Sequence, residues 1–558
     1  MLSLLLHASL LAPPVPEHAF PLVPAPAPGP LGAIELLPVT EEVLALRAAG
    51  SELVLSAVPL PGGPATLDLL RVEIPGGTRV HVDGAPVAGP ADHGDLSIWK
   101  GRVRGMEGSD VLLGFSGQGC HGWIHDGTTR WNLFSTPGEG GDWTAFTSRL
   151  VPEEALIAAG PETGPKCAVD TSGTAQPLPV TPLGGTTSLT LGAAVLDCPI
   201  AIETDYQLFQ VFGSLPALQN YVTLLITAVS DRVREQAGVH LSYPYVAYYT
   251  TPADPWQGQD NGLGCGDVLT EFRDAWAGNI PAGAALGHML SGAWLGCGVA
   301  WVGTTCNPDW GFSLSCCING GVGFPVTQGS NTWDFFVMAH ELGHNLGSFH
   351  THDYCPPLDE CAGNCNGSTQ CINQGTNLSY CHGCPGGMNN ITTQFHPTVA
   401  GVMRAHAESV GCVGELCTPP TTYCSASPNS SSPNGAQLYW IGSPSVQKND
   451  LVLGVAGVPD STLGLFFYGA GQTSEPFGDG LRCVSAGGTP IQRLGPPLAS
   501  QGFGVVERPL DLNAPPASSG PGEIQPASTW NFQYWYRDPA AGATGFNLSD
   551  ALSVTFCP

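Results

Sequence analysis

Charge is what this 558-residue chain has least of: charged residues are 11% of it, with 18 basic against 46 acidic, for a formal charge of −28. A surface of that sign repels phosphate backbones and anionic headgroups, which argues against nucleic acid or an anionic membrane as partner. No stretch holds ~18 uninterrupted apolar residues, so no membrane span is expected. No paired CxxC motifs occur either, which argues against a cytosolic zinc cluster as the use of the 19 cysteines. Dense between Cys265 and Cys424, they read as an extracellular disulfide framework and place the protein outside the cell. Their number is odd, so at least one thiol is unpaired. Lys and Arg are missing from Ala168 through Asp231, which excludes a trypsin-like cut inside that stretch and leaves Lys166 as the nearest basic site.

What the chain does have is length for two to four domains, 42% hydrophobic residues, and abundant Gly (74) and Pro (51), a composition of loop-rich β structure. Leu2 to Ala12 is a short apolar run before Pro13-Pro14, and residues 1–19 read as a signal peptide that lacks the basic leader and an evident cleavage site. Residues 20–170 alternate apolar runs with Gly, Pro and Asp turns, a β-rich segment without a cluster of acid, base and nucleophile. Residues 171–188 are a linker, TSGTAQPLPVTPLGG from Thr171 to Gly185 making up most of it. From 189 to 415 strands and helices alternate: strands at Leu189–Val195, along VHLSYPYVAYY from Val239, and in ALGHMLSG and GVAWVG; helices at Asp205–Phe212, Leu215–Gln236 and Asp267–Ala277; and a closing helix in Phe395–Cys412. A second linker, 416–435, leads to residues 436–558, where short strands predict a β-sandwich stapled through Cys483.

The chemistry is concentrated in Asn331 to His350, NTWDFFVMAHELGHNLGSFH. Apolar residues recur at helical spacing, so His340 and His344 share one face of a helix ending near Gly347. Two imidazoles one turn apart can hold one Zn²⁺, and Glu341, about 100° round the helix, reaches a water beside it. Gly347 can take φ > 0 and turn the chain so that His350 returns as a third ligand. Ordinary helix histidines are the bland alternative, which a pattern fixing five positions makes remote.

HExxHxxGxxH, with VMAHELGHNLG around it, resembles the metzincin zinc metalloendopeptidases and is most similar to their reprolysin (adamalysin) branch. The resemblance implies a multidomain α+β protein: a reprolysin-like propeptide over 20–170, a metzincin catalytic domain over 189–415 with a twisted mixed sheet, and the C-terminal β-sandwich. It implies peptide-bond hydrolysis of protein or peptide substrates, with Glu341 as general base and an edge strand that holds the substrate by β-augmentation. GRVRGMEGSDVLLGFS and GWIHDG resemble reprolysin propeptide text. GPKCAVD is similar to the cysteine-switch text of metzincin propeptides, with Ala168 where Gly is usual, which implies that Cys167 occupies the open zinc position. The alternative is a disulfide of Cys167, for example with Cys120. If Cys167 is free and all others pair, Cys120 bridges to a cysteine further along and ties the pro-segment to the enzyme.

Leu378 stands where metzincins carry the methionine of the Met-turn, and Met-to-Leu swaps conserve volume. Tyr380 lies where astacins and serralysins carry a phenol that assists the transition state; a packing tyrosine is the alternative. Asp359 and Glu360 are candidates for a Ca²⁺ site without EF-hand spacing, against a solvated loop. His288 reads as structural, and His352 and His382 as near the site in sequence only. The bridges expected around the site involve Cys361, Cys365, Cys371, Cys381 and Cys384. The aromatics of WNFQYWYRDP read as core. The function read from this is a secreted zinc endopeptidase made as a zymogen; the alternative is a catalytically silent adhesion or binding protein that keeps the fold, which Leu378 favours and Glu341 opposes.

Overall fold

A computed structural model describes residues 15–26, 29, 32–89, 91, 95–155, the backbone of 166–170, 194–281, 283–320, 331–363, 365 and 367–558. Residues 1–14 of the expected signal peptide 1–19, the expected linker 171–188 and most of the expected strand Leu189–Val195 lie outside them.

The chain begins with strands β1 (Glu17–Ala19), β2 (Leu22–Pro24) and β3 (Ile34–Pro38), helix α1 (Thr40–Ala48), and strands β4 (Glu52–Leu60) and β5 (Gly63–Val72). A short hairpin follows, β6 (Arg79–Val82) and β7 (Ala85–Pro86), and then β8 (Ser97–Val103), β9 (Asp110–Ser116), β10 (Gly119–His125), β11 (Arg130–Thr136) and β12 (Thr147–Pro152). Without the hairpin these strands form one sheet in the order β1-β4-β5-β8-β9-β10-β11-β12-β3-β2. Its two ends are consecutive in sequence, so residues 17–24 link both edges and roll the sheet around Leu55, Leu67, Trp99, Leu113 and Phe115.

Next come β13 (Lys166–Asp170), β14 (Leu196–Asp197), β15 (Ile200–Thr204), helices α2 (Tyr206–Phe212) and α3 (Leu215–Ala237), and strands β16 (Val239–His240) and β17 (Tyr245–Tyr248). They continue with α4 (Cys265–Trp276), β18 (Leu286–Leu290), β19 (Cys297–Trp301), β20 (Phe312–Ser315), α5 (Asn331–Asn345) and, after a cystine-rich loop, β21 (Gly375–Asn377), β22 (Ile391–Phe395) and α6 (Pro397–Ser409). Local sequence sets the helix ends. Asp205 caps α2 by accepting from Leu208 N at 2.7 Å, and α3 stops at Gly238, whose φ of 66° is open to glycine. The single strand expected from Val239 is broken in two, because Pro244 brings no N–H to a ladder; β16 pairs with β14 and β17 with β15.

The second sheet runs β13-β19-β20-β18-β15-β17-β6-β7. Strands β20, β18, β15, β17 and β6 are mutually parallel, and β19 is antiparallel to β20. Both flanks of this sheet are therefore strands from the first 170 residues: β6 beside β17, and β13 beside β19. Helices α3 and α5 lie between the two sheets, and one continuous apolar core joins Leu113, Trp123 and Leu133 of the first sheet to Leu224, Phe335 and Val337 of the helices.

The remainder, from Thr421, is antiparallel β, with a five-stranded and a three-stranded sheet enclosing their own core. In its strand Thr529–Arg537, Trp530, Phe532, Tyr534 and Tyr536 all face inward and are at most 6% exposed, so these aromatics are core. Cys424–Cys483 and Cys417–Cys557 staple it. Among the described residues no single helix is long and apolar enough to cross a membrane.

Candidate metal centre

Helix α5 is buried on every side, so each polar group on it needs a partner inside the protein. At its C-terminal end the Asn345 amide donates to Trp301 O (3.0 Å) and Phe312 O (3.0 Å), locking the helix to β19 and β20. Gly347 then takes φ 98°, where a side chain is strained, and the turn brings His350 back beside His344.

His344 Nδ1–H donates to Ser348 O at 2.7 Å, and His350 Nδ1–H donates to the carboxylate of Asp353 at 3.0 Å. Both rings therefore present a bare Nε2, and the two atoms are 3.2 Å apart. Two nitrogens on one tetrahedral zinc at its usual bond length sit about 3.3 Å apart. One nitrogen of His340 joins them, all three within 4.8 Å of one another. Neither nitrogen of His340 has a hydrogen-bond partner among the described residues, although the ring is fully buried. Burial first, then the neighbouring imidazoles, hold His340 and His344 well below the ordinary histidine range, so both stay neutral and able to donate lone pairs. This donor set, three converging imidazoles of which two are held from behind through Nδ1, fits Zn²⁺.

Glu341 follows His340 on the helix and turns its carboxylate to β19, where it meets Gly298; a Cβ on Gly298 would overlap Glu341 Oε1 and Val337. Leu378 forms the floor. It is fully buried with φ 70°, and a Cβ on Gly343 of α5 would lie 2.6 Å from its Cδ1. The Tyr380 ring lies 4.4 Å from that of His350 and stacks over His340 at 6.2 Å.

His352 and His382 belong to the site, contrary to the expectation from sequence. His352 stacks on His350 at 5.0 Å, and His382 packs between Phe336 and Tyr380 at 5.1 and 5.8 Å. His352 is placed by the 3₁₀ turn Thr351–Asp353 that follows His350, and His382 by its bridged neighbours, through Cys361–Cys381 and Cys371–Cys384. Asp353 also escaped the sequence reading; its signal is an acid three residues after His350, in reach across one 3₁₀ turn. Asp359 accepts from the Thr351 hydroxyl and from Cys361 N, and Glu360 from the Ser368 hydroxyl. His288 of β18 is structural, held between the Ser313 and Ser315 hydroxyls of β20.

Cys167 lies on β13, and the strand register sets it opposite Gly298, the residue against Glu341. The covalent tie through Cys120 is not made: Cys120 is a free thiol in the first sheet's core, its pKa pushed up to about 12 by burial.

The chain matches the Reprolysin_5 model, metallo-peptidase family M12, over residues 196–380. No curated protein matches it. Among solved structures it is similar to metalloproteinase-II from Bacteroides fragilis, at 11% identity over 56% of this chain and 87% of that one with a TM-score of 0.34. It is also similar to wild-type OgpA from Akkermansia muciniphila, at 12% identity over 71% of this chain and 98% of that one with a TM-score of 0.19. Scores that low bear on neither fold nor function.

Proposed function

Since residues 196–380 are a zinc metalloendopeptidase domain of the M12 family, we propose that the chain is a secreted endopeptidase made as a zymogen, with Cys167 as its blocking group. His340, His344 and His350 would hold the zinc, whose chemistry is to make a water acidic near neutral pH and to polarise the scissile carbonyl. Glu341 takes the proton of the attacking water at its carboxylate and passes it to the leaving nitrogen. Tyr380 offers a phenol O–H to the developing oxyanion. A protein or peptide substrate lies extended along β19 and borrows its backbone hydrogen bonds. Leu378 supports the histidines from below.

The observation that carries the hydrolase reading is the convergence of three imidazoles beside Glu341. For latency, the support is the register that sets Cys167 opposite Gly298 while β13 covers the strand a substrate needs. A thiolate is a soft ligand suited to the open position, and losing β13 would free both the position and the strand. Secretion is supported by the bridges, Cys306–Cys412 among them, which persist in an oxidising compartment.

The test is casein cleavage by full-length Cys167→Ala protein beside wild type. The variant is expected to show casein cleavage before processing that rises further once β13 is removed, and the wild type to be latent; a variant as latent as wild type would remove Cys167 from this account.

A further inference from the structure

The first sheet is joined to the catalytic domain in the way that parts of one domain are joined. Strand β6 pairs with β17 over Arg79–Val82 and Tyr245–Tyr248, and the Asp83 carboxylate then accepts from Thr250 N and its hydroxyl, each at 2.7 Å. On the far side of that hairpin Arg79 bonds Glu507 of the C-terminal β unit at 2.7 Å, and Glu507 also accepts from Tyr439. The hairpin is gripped from both sides.

The face behind the histidines is joined more deeply. Gly114 of β9 lies so close to α3 that a Cβ there would be 2.8 Å from Leu224, and the Trp123 ring meets Phe335 of α5 edge-on at 5.1 Å. Buried polar groups cross the same boundary. Arg130 donates to Met388 O (3.1 Å) and Ile391 O (2.7 Å), Trp143 Nε1 to Phe212 O (2.7 Å), and the Thr332 hydroxyl to Asn132 (3.0 Å). Asp110 faces Arg232 at 3.2 Å and accepts from Thr393 at 2.9 Å. Taking the first sheet away would strip Phe212 O and Ile391 O of these side-chain donors, leave Arg232 with its Thr393 contacts but without the Asp110 carboxylate, and expose the apolar back of α5, costs that groups in a folded core do not bear. By contrast, β13 is a five-residue strand held on the described side by one ladder along β19.

We infer that residues 15–155 are a permanent, non-covalently held part of the active enzyme, and that unblocking removes only the short stretch around Lys166–Asp170. The second half of this inference rests on the latency reading above; the first half does not. No disulfide among those described links residues 15–155 to the rest, and Cys120 is a free thiol, so the attachment is open to test once the connector is cut.

The experiment inserts a cleavage sequence for one specific protease into 156–165 and another into 171–185 of the full chain, cuts both, and follows the products by native mass spectrometry, gel filtration and casein cleavage. The expected result is that the short peptide leaves while the two large fragments travel as one species that parts only in denaturant. Elution of the catalytic fragment by itself, with intact near-UV circular dichroism, overturns the inference. The Arg130→Ala, Asp110→Ala double variant, cut in the same way, is expected to part at least about tenfold faster, as loss of buried charged hydrogen bonds implies; an unchanged rate also counts against it. Co-elution without casein cleavage leaves this inference standing and counts against the endopeptidase reading, so the two fail separately.

Discussion

Gly298 has no side chain at the one place on β19 where the carboxylate of Glu341 needs the room. The relationship joins strand β19 to a candidate general base, and Gly298→Ala tests it. The added methyl displaces Glu341 Oε1 and Val337, and misplacement of a catalytic group by about 1 Å costs roughly 100-fold in rate. The variant should keep its zinc and lose activity on that scale. Unchanged kcat/KM would mean that Glu341 does not work from this position.

Asp353 holds His350 from behind, and a hydrogen-bonded carboxylate of this kind fixes the tautomer of a ligand and raises its basicity. Burial is the largest single influence and works against its charge, but the hydrogen bonds from His350 and the electrostatic pull of His350 and His352 together outweigh it and keep the Asp353 carboxyl below the ordinary range. Asp353→Asn should weaken zinc binding by about 10- to 100-fold, measured by competition with a chromogenic chelator. Wild-type affinity in the variant would remove Asp353 from the site.

Leu378 packs against Gly343 with no exposed surface, so size matters there more than sulfur. Leu378→Met conserves volume and should cost less than about 1.5 kcal/mol with activity retained, whereas Leu378→Ala should cost about 2–5 kcal/mol. Denaturant titration with casein assays separates the two. A strong gain of activity in the Met variant would show that Leu378 impairs the site.

Glu203 lies on β15, 1% exposed, and burial pushes its pKa from the ordinary 4.5 up to about 8, with Asp254 adding to the rise against hydrogen bonds from Tyr249 and Trp256. A carboxyl raised on folding contributes stability that is full below the unfolded value and is lost as pH climbs through the folded one. Wild-type stability should therefore fall from about pH 4.5 to 8 by this group. Glu203→Gln removes that slope, so its Tm relative to wild type should rise between pH 5 and pH 8, by on the order of 5 °C. Parallel Tm curves would contradict the assignment.

Much of the site was legible in sequence because its parts are local. The spacing of His340 and His344, and the glycine at 347 that returns His350, are fixed within three turns of chain. What escaped was set by distant contacts. His382 reaches the centre through bridges of its neighbours Cys381 and Cys384 to Cys361 and Cys371, 20 and 13 residues away, which cysteine counting cannot assign. Gly298 matters only because β19 passes Glu341. The alternating pattern of residues 20–170 announced β structure, and nothing in it marked Arg79–Val82 as a strand of another sheet, since exposed and shared edges have the same periodicity.

The central claim is that three histidines hold a zinc on which peptide hydrolysis by Glu341 depends. Its most direct test is metal content and casein cleavage of the unblocked protein, before and after a chelator and after return of equimolar zinc, beside Glu341→Gln. The account predicts about one zinc per chain, activity lost with the metal and regained with it, and a Gln variant that keeps zinc but is inactive. Casein cleavage that survives metal removal, or a Glu341→Gln protein as active as wild type, would contradict it.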